Sequence, residues 1–502
     1  MIGKAACGLQ SLGVGKDTRV GLLLPNCPAF VVYFFAILKT GATVVNCNPL
    51  YTVEELEHQV RDSETDFLVT LDLAALLDKA DALLDRKAIS KAIVCSFAGM
   101  LPKLKSLLFR LLKFRDIANP ARAENAGRII LDKDLLDNDG AFEPVRIDPG
   151  KDIAVLQYTG GTTGTPKGAM LSHANLTINI QQINMWTQEL LGEDESILGI
   201  LPMFHIFAMT TVLNFGVARG YKLILLPRFD LEQTLKTISR MRPTIFPGVP
   251  TIYNAILNHP KTASLDMSSL KFCISGGAAL PSEVKREFEN MTGCALVEGY
   301  GLSETSPVAT CNPASGDNPP GSIGLPFPGT RISIRSIDDP KKEMPLGENG
   351  ELCIAGPQVM SGYWNKPKEN KDAFVGEFFR TGDVGYMDER GYIFIVDRMK
   401  DMINASGFKI YPRRIEEAIY EIEAVEEVTV IGVPDQYRGE APAAYIKLRK
   451  GKNLTADDVY KFLEPKISKI EMPRDIEFRD ELPKTMIGKL SKKELREERG
   501  DA

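Results

Sequence analysis

Along the first third of the chain, short apolar runs typical of β-strands alternate with longer segments typical of helices. Arg19–Leu24 has the composition of a buried strand, and Pro28–Lys39 has the length and apolar content of a helix. Thr52 and Glu55 then form the T-x-x-E pattern that caps the start of a helix. Alternation of this kind indicates a parallel sheet with helices on both faces. Because a chain of 502 residues is too long for one hydrophobic core, we expect at least two domains.

The pattern becomes rich in strands from about residue 321 to residue 396, where the runs ISIRSI, GELCIAG and YMDERGYIFIV occur. An α+β pattern follows, in which Pro412 occupies the first turn of a predicted helix. We therefore predict an α/β protein with a large N-terminal domain, residues 1–397, that combines parallel βαβ sheets with a β-rich subdomain at about 321–396. Residues 398–502 are predicted to form a small α+β C-terminal domain, with the boundary at Asp397–Lys400.

The charges and cysteines argue against several classes of protein. The 60 Lys and Arg residues against 66 Asp and Glu residues give a net charge of −6, so there is no reason to expect a nucleic-acid partner. The eight cysteines are far apart and the four histidines are scattered, so a zinc site is not expected. No apolar run reaches the roughly 18 residues that a membrane-spanning helix needs. We expect a cytoplasmic protein with reduced cysteines.

The segment Leu101–Ile117 interrupts the alternation. It mixes Leu, Phe and Ile with five basic residues, and it is apolar over more of its circumference than an ordinary surface helix. One interpretation is a helix buried against the rest of its domain. The other is an interfacial helix that brings the protein into peripheral contact with the anionic inner face of a membrane. The sequence leaves both interpretations open.

A loop rich in glycine and threonine occupies Tyr158–Gly168, with the sequence YTGGTTGTPKG. Small residues allow backbone N–H groups and hydroxyls to approach a triphosphate closely, and Lys167 adds a positive charge. The loop is not a Walker A motif, because Pro166 stands where that motif has glycine and Gly168 where it has Ser or Thr. The composition predicts nucleotide binding by a different kind of phosphate loop.

The same run, extended to YTGGTTGTPKGAMLSH, resembles the signature of the adenylate-forming enzymes, which include acyl-CoA synthetases, luciferases and the adenylation domains of peptide synthetases. The resemblance continues in order through PMFHIFAM, ISGGAAL, EGYGLSETS, RTGDVGY, DRMKDMINASGFKIYPRRIEE and PKTMIGKL, and so covers essentially the whole chain. It is closest to bacterial long-chain fatty-acid–CoA ligases. Family members usually carry a further stretch before the position of Met1, so we expect the N-terminal domain to lack its opening strands.

The resemblance implies the use of ATP, Mg²⁺ and coenzyme A, and it assigns residues to the nucleotide. Asp383 would accept both ribose hydroxyls, Arg398 would lie on the other side of the ribose, and Tyr300 would lie along the adenine. Glu304 and Thr159 would hold Mg²⁺, which prefers oxygen ligands. The full set for ATP or AMP is Thr159, Gly160, Gly161, Thr162, Thr163, Gly164, Gly277, Gly299, Tyr300, Gly301, Thr305, Asp383 and Arg398.

The resemblance also implies catalytic groups and a mobile C-terminal domain. Lys489 would reach the α-phosphate and the carboxylate, Lys167 would act on the phosphates, and His205 would lie at the acyl and carboxylate pocket. A histidine in an apolar run is often only a hydrogen-bonded core residue, and that alternative stays open for His205. After adenylation the C-terminal domain would rotate about Lys400 and present the loop at Ser406–Gly407 to the pantetheine arm of coenzyme A.

The expected substrate follows from Phe204, Ile206, Phe207 and Met209, which would line the acyl pocket. The run Phe204–Leu213 contains no acidic residue to meet the amino group of an amino acid, and a buried ammonium without a partner is costly. Flexible Met and Phe side chains suit a long alkyl chain, so we expect a long-chain fatty acid. A medium-chain or aryl acid–CoA ligase and a non-catalytic nucleotide- or lipid-binding homologue are the alternatives. A homodimer is left open.

Overall fold

The fold is given by a computed structural model of the chain, which describes residues 1–159, 166–406, 408–485 and 490–499. The chain forms two compact units, each assembled from separated stretches of sequence. The first unit comprises Met1–Pro247, Gly301–Val308 and Pro357–Asp372. The second unit comprises Gly248–Tyr300, Ala309–Gly356 and Ala373–Ala502.

Helices and strands alternate through most of the described residues. The helices are α1 (Ile2–Ser11), α2 (Pro28–Lys39), α3 (Val53–Asp62), α4 (Ala74–Asp85), α5 (Lys103–Leu112), α6 (Asp132–Leu135), α7 (His173–Thr187), α8 (Ile206–Ala208), α9 (Phe215–Arg219), α10 (Leu231–Met241), α11 (Pro250–Leu257), α12 (Ser282–Thr292), α13 (Pro367–Asp372), α14 (Pro412–Tyr420), α15 (Ala456–Leu463) and α16 (Lys492–Glu498). The strands are β1 (Arg19–Leu22), β2 (Thr43–Asn46), β3 (Phe67–Leu71), β4 (Lys91–Cys95), β5 (Ile129–Leu131), β6 (Ile153–Thr159), β7 (Lys167–Ser172), β8 (Ser196–Gly199), β9 (Lys222–Leu225), β10 (Ile245–Gly248), β11 (Phe272–Gly276), β12 (Ala295–Gly301), β13 (Val308–Cys311), β14 (Ser322–Pro326), β15 (Arg331–Arg335), β16 (Gly350–Ala355), β17 (Phe374–Val375), β18 (Phe378–Met387), β19 (Ile393–Arg398), β20 (Ile403–Ala405), β21 (Phe408–Ile410), β22 (Val425–Asp435), β23 (Gly439–Leu448) and β24 (Asp475–Phe478).

A seven-stranded sheet forms the core of the first unit, in the order β5-β4-β3-β1-β2-β6-β7. Its neighbouring strands are parallel except for β6 and β7, which form an antiparallel hairpin. Every residue of β3 is buried, as expected for a parallel strand that is covered on both faces. The predicted helix at Pro28–Lys39 is α2, and Thr52 and Glu55 form the predicted capping box of α3. The predicted α/β architecture is confirmed.

The second unit contains parallel strands followed by antiparallel ones. Strands β11 and β12 are parallel, whereas β14, β19, β18, β16 and β15 are paired antiparallel in that order. These antiparallel strands correspond to the predicted β-rich part at about 321–396. The antiparallel pairing places Asp383, in the middle of β18, directly opposite Arg398 at the end of β19.

The C-terminal stretch folds around the long β22–β23 hairpin, against which α14 packs through Ile415 and Ile419. Pro412 is the first residue of α14, as predicted. The predicted boundary at Asp397–Lys400 falls at the end of β19, inside the second unit. The division into domains at residues 1–397 and 398–502 stays a prediction.

The segment Leu101–Ile117 forms α5 and a following short 3₁₀ turn at Phe114–Asp116. None of the ten described residues of α5 is buried. The interpretation of this segment as a buried core helix is therefore wrong, because its leucines face away from the body of the first unit. Among the residues that the structure describes, no helix has the length and apolar character to cross a bilayer.

Candidate active site

The β6–β7 hairpin holds both ends of the glycine- and threonine-rich loop. Thr159 ends β6, Lys167 begins β7, and the two residues are directly opposite in the ladder. The Thr159 hydroxyl donates a hydrogen bond of 3.4 Å to the carbonyl oxygen of Lys167. The predicted residues Gly160, Gly161, Thr162, Thr163 and Gly164 lie outside the described residues, and their roles stay predictions.

Glu304 and Lys167 are connected through Tyr363, a residue that the sequence had not indicated. The Tyr363 hydroxyl donates to Oε1 of Glu304 at 2.7 Å, and the carboxylate of Glu304 is buried. The Lys167 ammonium lies 4.6 Å from the centre of the Tyr363 ring, within cation–π distance. One aromatic ring therefore orients both a predicted Mg²⁺ ligand and a predicted phosphate-binding lysine.

Tyr363 is held in place by its backbone. It forms an antiparallel bridge with Ala169 of β7, and the N–H of Trp364 donates to the carbonyl oxygen of Gly168 at 2.8 Å. Burial is the main cause that raises the pKa of Tyr363, and the nearby charge of Glu304 raises it further. The hydroxyl therefore stays protonated and remains a donor to Glu304.

Tyr363→Phe is expected to lower kcat/KM for MgATP roughly tenfold, because one hydrogen bond to a charged group is lost. The phenyl ring keeps the contact with Lys167, so the change isolates the hydroxyl. Since Tyr363 positions Glu304, we also expect a higher Mg²⁺ concentration at half-maximal rate. Tyr437→Phe, at a fully solvated tyrosine, is the matched control. An unchanged Mg²⁺ dependence would show that the hydroxyl does not orient Glu304.

The turn that carries Glu304 and Thr305 closes tightly on itself. The N–H of Leu302 and the hydroxyl of Thr305 both donate to the carbonyl oxygen of Pro307. A Cβ atom at Gly301 would overlap that same oxygen, so only glycine fits at this position. Thr305 is fully buried. The need for glycine here is set by the turn itself, whether or not Gly301 also contacts the nucleotide.

Gly301→Ala is expected to destabilise the protein by about 1–3 kcal/mol, the usual range for overpacking, and to lower kcat because the turn that holds Glu304 must shift. Thermal unfolding and steady-state rates measure the two effects. Gly127→Ala is the matched control, because a Cβ atom there meets open space. Equal stability and rate in the two variants would contradict the close approach to Pro307.

His205 stands at the N-terminus of α8 and caps it. The N–H of Phe207 donates to Nδ1 of His205 at 3.3 Å, which fixes this ring nitrogen as an acceptor. Of the predicted acyl-pocket residues, Ile206 and Met209 are buried, whereas Phe204 and Phe207 are partly exposed. The histidine is partly exposed, and its role at the acyl and carboxylate pocket stays a prediction.

The helix continues from α8 as a π-helical turn over Met209–Asn214, before α9. The Thr210 hydroxyl donates to the carbonyl oxygen of Ser306 at 2.7 Å and so connects this turn to the turn that carries Glu304. Thr211 donates to the carbonyl oxygen of Phe207 at 2.8 Å. π-Helical turns are frequent at functional sites. The hydrogen bond from Thr210 therefore connects the segment predicted to line the acyl pocket with the turn that carries Glu304, the predicted metal ligand.

In the second unit, three predicted nucleotide residues are in contact. The Tyr300 hydroxyl donates to Oδ2 of Asp383 at 2.6 Å, and Nε of Arg398 lies 3.1 Å from Oδ1 of the same carboxylate. Asp383 and Arg398 are cross-strand partners in β18 and β19. Burial and the charge of Asp383 raise the pKa of Tyr300, which keeps its hydroxyl protonated. The carboxylate is thus held rigidly between an aromatic ring and a guanidinium.

Local structure accounts for glycine at two of the positions that are predicted to approach the nucleotide. Gly277 follows β11 with φ of +83°, a conformation that favours glycine. A Cβ atom at Gly299 would lie 2.9 Å from Cδ1 of Ile274 on the neighbouring strand, so a larger residue would require the Ile274 side chain to shift. Contact of these two glycines with the nucleotide stays a prediction.

Glu351 is a second residue that the sequence had not indicated. Its buried carboxylate accepts from Nε of Arg380 at 2.9 Å and from the N–H of Gly382 at 3.2 Å. These bonds fix the turn that leads to Asp383. The sequence contains one indication of this role, a glutamate inside the apolar strand GELCIA. A buried charge is retained only when it is paired, so a partner for Glu351 could have been expected.

The predicted hinge residue Lys400 lies in the turn after β19. Next to it, Oδ2 of Asp397 accepts a 2.8 Å hydrogen bond from the N–H of Arg413 at the start of α14, so this bond joins the two sides of the predicted boundary. The N–H of Ser406 donates to the carbonyl oxygen of Arg438 at 2.7 Å. Gly407 and Lys489 lie outside the described residues, and their roles stay predictions.

Comparison with known proteins bears on the whole chain. A family described as "AMP-binding enzyme" matches residues 1–364, and "AMP-binding enzyme C-terminal domain" matches residues 414–489. The long-chain-fatty-acid–CoA ligase of Bacillus subtilis (strain 168) is 43% identical, over 99% of this chain and 88% of the relative. The ligase of the same name from Escherichia coli O6:H1 is 38% identical, over 97% of this chain and 87% of the relative. The crystal structure of ATP-bound MatB from Rhodopseudomonas palustris matches with a TM-score of 0.85 and 30% identity, over 99% of this chain and 92% of that one.

Proposed function

We propose that this chain, which belongs to the AMP-binding enzyme family, joins a long-chain fatty acid to coenzyme A in an ATP-dependent reaction. In the first step a carboxylate oxygen of the acid attacks the α-phosphorus of ATP, and pyrophosphate leaves. In the second step the sulfur of coenzyme A attacks the carbonyl carbon of the acyl-adenylate, AMP leaves, and the thiol proton passes to solvent. Because the first step brings two anions together, positioning and charge stabilisation should account for most of the rate.

One observation carries the proposal for the phosphate end of the substrate. Lys167, Tyr363 and Glu304 form a chain of contacts directly beside the strand ends that carry the threonine- and glycine-rich loop. A lysine beside such a loop suits phosphate oxygens. Lys489 would add a second positive charge at the α-phosphate.

Glu304 and Thr159 are suited to Mg²⁺, since a buried carboxylate and a hydroxyl are hard oxygen donors that complement phosphate oxygens. When bound, Mg²⁺ would neutralise the charge that develops on the pyrophosphate. The hydrogen bond from Tyr363 to Oε1 of Glu304 fixes the plane of the carboxylate. Glu304 thus provides a negative charge, and Tyr363 fixes the orientation of the carboxylate that carries it.

The nucleoside end is supported by Asp383. An ionised carboxylate offers about four lone-pair sites. Tyr300 and Arg398 each engage one oxygen, so acceptor sites remain for the two ribose hydroxyls. The partly buried aromatic ring of Tyr300 is a suitable surface for an adenine. Lys400 would act as the hinge for the second step, and Ser406 and Gly407 would then meet coenzyme A.

The long-chain acid is supported by the relatives' printed activity and by the apolar run Phe204–Leu213. To test it, purified protein is incubated with ATP, Mg²⁺, coenzyme A and a panel of acids from acetate to oleate together with 4-coumarate, and acyl-CoA and AMP are quantified. We expect equal amounts of the two products and the highest kcat/KM with long-chain acids. A preference for the aryl acid would contradict the substrate, and no AMP with any acid would contradict the activity.

The cellular setting is also part of the proposal. We place the enzyme in the cytoplasm, where ATP and coenzyme A are available, with peripheral contact at the inner face of the membrane. A homodimer is compatible with the proposal and is not required by it.

A further inference from the structure

Helix α5 exposes a continuous stripe of leucines. Leu104, Leu107, Leu108, Leu111 and Leu112 follow the spacing of one helical face and are 46–75% exposed. Phe114, just beyond the helix, is also exposed. Leucines at this spacing ordinarily face a core. Here the whole apolar face is turned away from the described residues of the first unit.

The opposite face attaches the helix to the protein. Phe109 packs its ring on that of Phe97, with 5.0 Å between the ring centres. The N–H groups of Phe97 and Ala118, one at each end of the segment, both donate to Asp72, at the carboxyl end of β3. The helix is therefore held at its base by a buried strand and displays its leucine stripe outward in a defined direction.

The charge of the segment is opposite to that of the protein. Five basic residues and one acidic residue give residues 101–117 a net charge of +4, whereas the whole chain carries −6. With about 3.6 residues per turn, Lys103 and Arg110 lie along one edge of the leucine stripe and Lys105 along the other edge. An apolar stripe with cations at both of its edges is the arrangement of a helix that lies in the interface of an anionic bilayer.

A second copy of the chain is a poorer occupant of this face. A twofold dimer places the same patch against itself. The cations along the edges of the stripe would then face the cations of the other copy, and like charges in such a contact repel. An anionic lipid surface instead pairs with these cations and accepts the leucines at the same time.

We infer that α5 is a membrane-docking helix, which lies flat on an anionic lipid surface with its leucine stripe in the acyl-chain boundary and its cations among the headgroups. The inference names the surface that would make the peripheral membrane contact of the proposed function, and it does not depend on the ligase activity. If the proposed activity also holds, the docked enzyme meets its fatty acid where such acids partition. No pore or spanning segment is involved.

Sedimentation with vesicles of phosphatidylcholine, with and without phosphatidylglycerol, tests the inference in the absence of any substrate. We expect the full chain to bind the anionic vesicles, and to bind them more weakly at high salt. Leu107→Gln with Leu111→Gln should lower the affinity at least about tenfold, because two leucines no longer enter the bilayer. Glutamine is a good helix former, so α5 itself is retained. Lys105→Gln with Arg110→Gln should lower the affinity for anionic vesicles roughly tenfold.

Matched controls use exposed residues elsewhere. Leu50→Gln with Leu346→Gln removes two equally exposed leucines, and Lys151→Gln removes an exposed cation; we expect both to leave vesicle binding unchanged. No binding of the full chain to anionic vesicles would overturn the inference, and so would α5 variants that bind like the parent. A change of oligomeric mass in the leucine variant, with vesicle binding unaltered, would instead identify the stripe as a contact between copies.

A second arm connects docking to the proposed activity. Acyl-CoA formation is measured with the acid presented in anionic vesicles and, separately, with a water-soluble shorter acid. If both proposals hold, the leucine variant loses rate only with the vesicle-borne acid. A parent that binds vesicles but forms no acyl-CoA would contradict the ligase proposal and leave the docking helix standing.

Discussion

Asp383→Asn is expected to raise the KM for ATP roughly hundredfold while kcat changes much less, since two hydrogen bonds to a charged group contribute about 1.5–3 kcal/mol each. The ribose does not react, so its contacts are the same in the ground state and the transition state, and their loss appears in KM. Asparagine can still accept from Tyr300, which preserves the fold around the buried side chain. Steady-state kinetics with ATP as the varied substrate measures both constants.

Asp372→Asn is the matched control, because this aspartate is exposed at the end of α13. We expect parent-like kinetics from the control. If Asp383→Asn kept the parent KM for ATP, or lost only kcat, Asp383 would not be the ribose ligand, and its contacts with Tyr300 and Arg398 would be structural.

Glu304→Gln is expected to lower kcat roughly hundredfold to thousandfold at saturating ATP. This range is typical when one group that stabilises charge in the transition state is lost. The amide keeps an acceptor for the Tyr363 hydroxyl, so the buried contact survives while the negative charge is lost. The requirement for Mg²⁺ should rise in the same variant, because the carboxylate is proposed to hold the ion. Rates are measured over a titration of Mg²⁺ at fixed, saturating ATP.

The exposed Glu287 on α12 provides the control, and Glu287→Gln should leave both kcat and the Mg²⁺ requirement unchanged. A Glu304→Gln protein with the parent kcat would remove Glu304 from the proposed metal site. Together the Asp383 and Glu304 variants separate nucleoside binding from phosphate chemistry, because one should change KM and the other kcat.

Local sequence patterns predicted the elements whose determinants are local. The helix at Pro28–Lys39 and the capping box of Thr52 and Glu55 depend on neighbouring residues only, and the structure has both. Contacts between distant residues were accessible only through motif resemblance. Tyr300 and Asp383 are 83 residues apart, yet both were named as nucleotide residues and their side chains are in contact.

Three features could not be predicted because no local pattern encodes them. Tyr363 and Glu304 are 59 residues apart in the sequence. Tyr363 reaches Glu304 only because its segment forms a bridge with β7. The π-helical turn at Met209–Asn214 looks like any apolar helical segment. The sequence of α5 does not show whether its leucines are exposed, because leucines at helical spacing fit a protein core and a lipid surface equally well. Burial is a property of the assembled fold, and periodicity alone does not supply it.

The proposed reaction requires that an acyl-adenylate forms before any thiol reacts. Exchange of labelled pyrophosphate into ATP, measured without coenzyme A, tests this step alone. We predict exchange that requires Mg²⁺ and a long-chain fatty acid and that is lost in Lys489→Ala. Acyl-CoA formation without any acid-dependent exchange, or exchange at the parent rate in Lys489→Ala, would contradict the account.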